Sequence, residues 1–407
     1  MTVRKGTLLT PAVEEGAPIN VPRVALVGAN GHGRWHRRVI GRLHDEGRVR
    51  LAALVDTNPI EPEPTAPVPA DVPVFTDHRA MLADVSPDVV VICTPPHTHL
   101  PIAREAVAAG ADVLLEKPPV LCTAEHEALT AALGSTGRVV QVGFQALGSA
   151  ALTMLTDAVS AGRLGAVTGI ATVAAWQRPD AYYARAPWAG RRLLDGRPVL
   201  DGALANPLAH AVMQCLAVAE AVGGGPVEPV SIEVERYRVR PIEVDDTAVL
   251  RVRPRLGPPI VAAVTLAGED FIAGEVIVTG DAGRAVLEYP TDRLRLPGET
   301  TAGEVPGRRG LLENLLAHRA DPQVPLIAPL ARTAPFTAVL TALQASPEPT
   351  LLDGDLVESV GVGPQRVLRV RGVNEVLRQV ADQGRLPSEL GVPWAITPWH
   401  TDLTGQE

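Results

Sequence analysis

The sequence predicts an α/β protein: an N-terminal doubly wound parallel sheet of the Rossmann type, then a C-terminal α+β domain on a large, mostly antiparallel open sheet. Three observations carry this. Between residues 21 and 145, short apolar runs alternate with stretches of helical periodicity. Runs such as Val89, Val90, Val91 and Ile92 are apolar without interruption, as strands buried on both faces must be. Beyond residue 146, strand-like runs follow one another with turn residues between them, several alternating apolar with polar.

In order, "RVALVG" (23–28) is a strand ending in glycine, and Trp35, Val39, Ile40 and Leu43 recur behind it at helical spacing. "VRLAALVD" (49–56) is the next strand and ends on an acid. Pro59, Pro62, Pro64, Pro67, Pro69 and Pro73 mark a solvated loop. "VPVFTD" with "HRAMLADV", "DVVVICT" with "THLPIAREAVAAG", "DVLLEK" with "TAEHEALTAALGSTG", and a final "RVVQVGF" complete the βα units of a parallel sheet. "ALGSAALTMLTDAVSAGRLG" reads as helix. "GIATVAAWQ", "VSIEVERYRVRPI", "DTAVLRVRPR", "PIVAAVTLAG", "GEVIVTGDAG" and "RAVLEYP" supply the second sheet, and "RGLLENLLAHRAD" and "TAPFTAVLTALQAS" restore helices. The expected division is a flexible lead over 1–20, an NAD-binding domain over 21–145, a substrate and oligomerisation domain over 146–349, and an extension over 350–407. That extension contains a short strand pair and the helix "GVNEVLRQVADQG".

Composition narrows the function classes. A net charge of −9 without any cationic run argues against nucleic acid as a partner. Cys93, Cys122 and Cys215 have neither disulfide-framework nor zinc spacing, so no metal is expected and a reducing cytoplasm is. No stretch of 18 apolar residues occurs, and the N-terminus is too polar for a secretory signal, so no membrane association is expected.

In "GANGHG", Gly28 and Gly33 fit the first and third glycines of a dinucleotide-binding turn, Asn30 replaces the second, and Gly31 and His32 lie between. Gly28 permits the tight turn, Gly33 lets the helix approach the strand, and the helix N-terminus offers N–H groups to a pyrophosphate. Asp56, 23 residues after Gly33, is placed to accept hydrogen bonds from ribose hydroxyls. Thr57 and Asn58 follow it, with no arginine for a 2′-phosphate, so NAD is favoured over NADP.

Of 37 lysines and arginines, only Lys5 and Lys117 are lysine. Lys117 lies in "VLLEKPP". With Thr94-Pro95 and His99 before it, and "DDTAVLRV" and "VTGDAGRAVLE" after it, the chain resembles the Gfo/Idh/MocA-type oxidoreductases from about residue 21 to about 345. The resemblance implies a Rossmann domain with Thr94, Pro95, Pro96, His99, Glu116, Lys117 and Gln145 at the cofactor. It also implies a sugar-like or cyclic polyol substrate whose reacting oxygen meets Lys117. Pro96 stands where the family often has Asn, and Gln145 where it often has Asn or Arg. An ammonium is compact and can shift its pKa, whereas a guanidinium is broad and always charged, which gives a chemical reason for Lys in a chain so biased to Arg.

In "DGALANPLAHAV", Asn206 and His210 occupy places where the family has Asp and His four apart. His210 is the candidate acid/base; a histidine satisfied on an apolar helix face is the competing reading. Asn206 is either a substrate contact or a helix cap ahead of Pro207, and it cannot carry the charge of Asp. "WQRPDAYYARAPWAGRRLLDGRPV" gathers Trp176, Arg178, Tyr182, Tyr183, Arg185, Trp188, Arg191 and Arg192 in a chain with 3% aromatics. Arg178, Tyr182, Trp188, Arg191 and Arg192 are substrate candidates, an oligomer contact being the alternative. Tyr237 and Arg238 are further pocket candidates. The overall expectation is an NAD-dependent dehydrogenase acting on CH–OH groups. A redox-neutral enzyme using transient oxidation and a non-catalytic NAD or sugar binder are the alternatives. The half-polar strands of the second sheet imply a homodimer or homotetramer.

Overall fold

The computed structural model describes residues 21–404, so the expected N-terminal lead and Lys5 lie outside the described residues. The first domain runs β1 (Arg23–Val27), α1 (Gly33–Asp45), β2 (Arg50–Val55), β3 (Val74–Phe75), α2 (His78–Val85), β4 (Val89–Ile92), α3 (His99–Ala108), β5 (Asp112–Leu115), α4 (Thr123–Thr136) and β6 (Val140–Val142). Its six strands pair in the order β3-β2-β1-β4-β5-β6, each pair parallel. Every residue of β4 is buried, in keeping with its uninterrupted apolar run. The order reverses between β1 and β4, and a crevice opens there beyond the carboxyl ends of the strands.

The chain then continues through α5 (Ala150–Ser160), β7 (Val167–Gln177), the short α6 (Asp180–Tyr183), a hairpin of β8 (Leu193–Leu194) and β9 (Arg197–Pro198), and α7 (Ala209–Gly223). After these come β10 (Pro229–Arg238), β11 (Thr247–Pro254), β12 (Ile260–Thr265), β13 (Ala267–Gly280), β14 (Gly283–Glu288), β15 (Arg293–Arg295), β16 (Gly303–Glu304), α8 (Leu311–Ala320) and α9 (Ala334–Ala345). Residues 350–407 add β17 (Thr350–Leu351), β18 (Val357–Val360), β19 (Val367–Val370), α10 (Val373–Gln383) and β20 (Trp399–Asp402). The large sheet has ten strands, with β17 and β20 of the extension both paired to β10. It is antiparallel except at β7/β12 and β10/β17.

Strand periodicity divides this sheet into two apolar faces. Ala248, Leu250, Ala262 and Val264 join the core that includes Val212, Met213 and Leu216 of α7. The intervening Val249, Val261 and Ala263 turn to the opposite face and pack with Val373, Leu377 and Val380 of α10. Burying each of these three side chains contributes about 1.5–3 kcal/mol relative to exposure. Over these strands the second face of the sheet is covered by the chain's own extension.

Candidate active site

At the end of β1, Gly28 has φ +87°, and a Cβ there would lie 2.2 Å from the Cys93 carbonyl oxygen. A Cβ on Gly33, the first residue of α1, would lie 1.8 Å from the Gly28 carbonyl oxygen. Helix and turn are as close as glycine allows. The N–H groups of Gly31 and His32 donate no hydrogen bond among the described residues, and both residues line the cleft. Asp56, just past β2, accepts from the N–H groups of Asn30 and Asn58, each at 3.0 Å. A helix N-terminus with free N–H groups and a carboxylate held beside it fit the pyrophosphate and ribose of a dinucleotide. The side chain of Asn30 is turned elsewhere: Nδ2 donates to the Pro59 carbonyl at 3.1 Å and Oδ1 accepts from the Glu61 N–H at 2.8 Å. Its side chain pins the proline-rich loop, while the residue itself lines the cleft as part of the turn.

Thr94, Pro95 and Pro96 after β4, Glu116 and Lys117 after β5, and Gln145 after β6 line the same cleft, whose volume is about 630 Å³. His99 does not. It is 1% exposed, with Nδ1 2.8 Å from the Pro118 carbonyl oxygen and Nε2 2.8 Å from that of Thr94. It clamps the two loops together, a correction to its expected cofactor contact. Glu116 is buried with His36 Nε2 2.9 Å and His32 Nε2 3.6 Å from Oε1. Burial pushes its carboxyl up, but the two histidines outweigh burial and hold it well below the usual carboxylate range. Sequence spacing gave no hint that these three residues converge, their donor atoms lying within 4.8 Å of one another. The His36–Glu116 hydrogen bond accounts for the contact.

Lys117 reaches across the cleft to the second domain. Its Nζ donates to the carbonyl oxygen of Asn206 at 3.1 Å and to Asn206 Oδ1. Burial lowers the ammonium from its ordinary pKa, while Glu116, Asp201 and Cys93 act to raise it. Asn206 is not a helix cap, because α7 begins at Ala209 with Leu208 at its N-cap. Its Nδ2 donates to Asp201 Oδ1 at 2.7 Å. His210, in the first turn of α7, lines the cleft while only 6% exposed, and its Nδ1 has no hydrogen-bond partner among the described residues. Its ring meets Phe144 edge-on at 5.8 Å. Burial first, then the Lys117 charge, push its pKa down from 6.5 to about 3, so the imidazole is neutral at ordinary pH.

Of the loop residues, Arg178, Tyr182 and Trp188 line the cleft together with Trp176 and Arg185. The Arg178 guanidinium lies 4.8 Å from the Trp176 ring and 5.1 Å from that of Tyr182, and its buried Nε lacks a partner among the described residues. Arg185 lies 3.7 Å from the Tyr182 ring and 4.6 Å from the Trp188 ring. Arg191 and Arg192 are outside the cleft. Arg191 pairs with Glu243 at 2.5 Å, and Arg192 donates to the carbonyls of Gln344 and Ser346 at the end of α9. Both brace the loop from behind, a correction to their expected substrate contacts. Tyr237 and Arg238 are also elsewhere: Tyr237 is fully buried with its hydroxyl on Glu235, and Arg238 donates to the Ile242 carbonyl. Sequence reasoning missed Asp201, which begins the "DGALAN" stretch leading to Asn206.

A parallel sheet of this order with a glycine turn at its reversal, facing an α+β domain across a cleft, defines a two-domain dinucleotide-binding protein. Residues 22–144 match the model of the GFO_IDH_MocA family, described as an oxidoreductase family with an NAD-binding Rossmann fold. D-glucoside 3-dehydrogenase of Escherichia coli (strain K12) is 27% identical over 150 residues, 36% of this chain and 41% of that protein. Inositol 2-dehydrogenase 1 of Saccharopolyspora erythraea is 30% identical over 145 residues, 35% of this chain and 42% of that protein. The chain thus spans less than half the length of these curated relatives. The fold extends further: the WlbA dehydrogenase from Bordetella pertussis, solved with NADH and UDP-GlcNAcA, superposes with a TM-score of 0.65 at 24% identity, over 79% of this chain and 94% of that one. Among the described residues no helix is long and apolar enough to cross a membrane.

Proposed function

We propose that the chain is an NAD-dependent oxidoreductase that oxidises a hydroxyl of a sugar-like or cyclic polyol substrate, with Lys117 at the reacting oxygen and His210 taking its proton. The observation that carries this reading is the convergence of Lys117, Asn206 and His210 at one cleft, between the glycine turn and the Arg-aromatic loop. Bound NAD supplies a hydride acceptor. Lys117 donates to the substrate oxygen and stabilises the negative charge that develops on it. Asn206 holds the Lys117 ammonium in position. His210, neutral in its buried setting, offers a lone pair for the hydroxyl proton. Burial and the Lys117 charge oppose proton uptake by the ring, so the proton transfer is expected to accompany hydride loss rather than precede it. Arg178, Tyr182 and Trp188 supply the guanidinium fork and ring faces that suit a polyhydroxylated ligand. The names of the curated relatives, which act on glucosides and inositol, support the same substrate class. Purified protein is screened for NADH absorbance over sugars, inositols and sugar acids, with NAD and NADP in parallel. Turnover with NAD on at least one polyol is expected; NADH binding with no reduction or oxidation on any member would overturn the reading.

A further inference from the structure

We propose that Asp201 is a positioning residue for Lys117: it supplies the buried counter-charge and, through the Asn206 amide, keeps the ammonium charged and aimed into the cleft. The Asp201 side chain is 1% exposed and bonded on several sides. Arg185 Nη2 donates to both its oxygens, at 2.9 and 2.8 Å, the Gly190 N–H donates to Oδ2 at 2.9 Å, and Asn206 Nδ2 donates to Oδ1 at 2.7 Å. Paired with a guanidinium, the carboxylate carries its negative charge.

Chemistry dictates the orientation of the amide between the two charges. A carboxylate only accepts and an ammonium only donates, so Nδ2 must face Asp201 and Oδ1 must face Lys117. An Asp at position 206 would bring a second carboxylate to within hydrogen-bond distance of Asp201, and one of the two would have to hold a proton. Asp201 and Asn206 are thus a matched pair, with the negative charge set one residue further from the lysine and relayed by an uncharged group. The same carboxylate anchors Arg185, which stacks on Tyr182 and Trp188, so the aromatic loop and the ammonium share one fixed point. The charged and titratable groups facing Lys117 are Glu116 beside it, Cys93 at the end of β4, Asp201 and Arg185 from the loop, and His210 from α7. Asp201 acts on the lysine in the same sense as Glu116 and opposes burial and Arg185.

The catalytic consequence rests on the proposed dehydrogenase reading, but the charge relay is measurable without substrate. Because the chain has only two lysines, Lys5 and Lys117, protein labelled with 13C,15N-lysine gives two side-chain Cε signals, which a Lys5→Arg variant assigns. The pH titration of each signal is followed, with NADH fluorescence titration as the check on folding. Asp201→Asn should move the Lys117 midpoint down while that of Lys5 stays fixed. Asn206→Leu, which leaves the Arg185–Asp201 pair intact, should also move it down. The exchange Asp201→Asn with Asn206→Asp should bring it back toward the wild-type position. An unmoved midpoint in Asp201→Asn, or in Asn206→Leu should Asp201→Asn fail to fold, overturns the proposal, as does failure of a folded exchange variant to recover. Absence of turnover over the substrate panel would sink the dehydrogenase reading and leave this titration to decide the relay by itself.

Discussion

The two walls of the cleft are built from different material. On the first-domain side the wall is shaped by backbone: the turn at Gly28–Gly33, the free N–H groups of Gly31 and His32, and behind them two loops held together by His99 through their carbonyls. On the second-domain side it is side chain: Arg178 and Arg185 against aromatic rings, and Asp201, Asn206 and His210 around the tip of Lys117. A backbone wall tolerates changes of polarity but not of volume. A side-chain wall tolerates modest changes of volume but not the loss of a donor or a charge.

Lys117 belongs to the first domain but acts on the second, and replacing it should have the largest effect. Lys117→Met is expected to lower kcat by ~10²–10³, the scale of removing one donor from a developing oxyanion, with NADH affinity changed only a few-fold. Steady-state rates and NADH fluorescence on the same sample separate the two. Gly33→Ala is the corresponding test of the backbone wall. Its new methyl would lie 1.8 Å from the Gly28 carbonyl, so α1 must retreat from the turn. A loss of NADH affinity of about 30- to 100-fold, equivalent to about 2–3 kcal/mol, is expected, and affinity within threefold of wild type would contradict the close-packed turn.

The same difference in material explains what the sequence made legible. The glycine turn is contiguous, and its constraint falls on residue types that only backbone geometry explains, so Gly28, Gly33 and Asp56 could be assigned a place from spacing alone. The strands of both sheets were legible because burial on one or two faces leaves a periodic trace. Asp201 left none. Its partners Arg185, Gly190 and Asn206 come together only after the loop folds back on itself. Arg191 and Arg192 have the same composition signal as Arg178, and only the direction of the chain separates the bracing residues from those lining the cleft. Likewise the apolar face of α10 was visible as a helix, but not as the cover for Val249, Val261 and Ala263.

His210 allows the side-chain wall to be weighed through stability. Its folded pKa is about 3 against an ordinary 6.5, so between those values the unfolded chain binds a proton that the folded chain does not. The stability that neutral His210 permits is therefore complete above about pH 6.5 and is lost progressively as pH falls toward 3. Between pH 7 and pH 5 this one group costs about 2 kcal/mol. His210→Gln should reduce the drop in thermal unfolding midpoint over that interval, and an identical drop in both proteins would place the histidine in a solvated setting.

The smallest effect is expected behind the loop, where side chains brace the wall without forming it. Arg191 is about half exposed and its ion pair with Glu243 is open to solvent. Exposed pairs of this kind contribute less than about 1 kcal/mol. Arg191→Ala should accordingly leave KM for an active polyol unchanged and shift unfolding only slightly. Arg178→Ala, by contrast, removes a guanidinium held between two rings inside the cleft and should raise KM about tenfold, the effect of losing roughly 1.4 kcal/mol of contact. Measured side by side, the two variants test the orientation of the loop: equal effects on KM would mean that both arginines face the substrate, and that the bracing assigned to Arg191 is wrong.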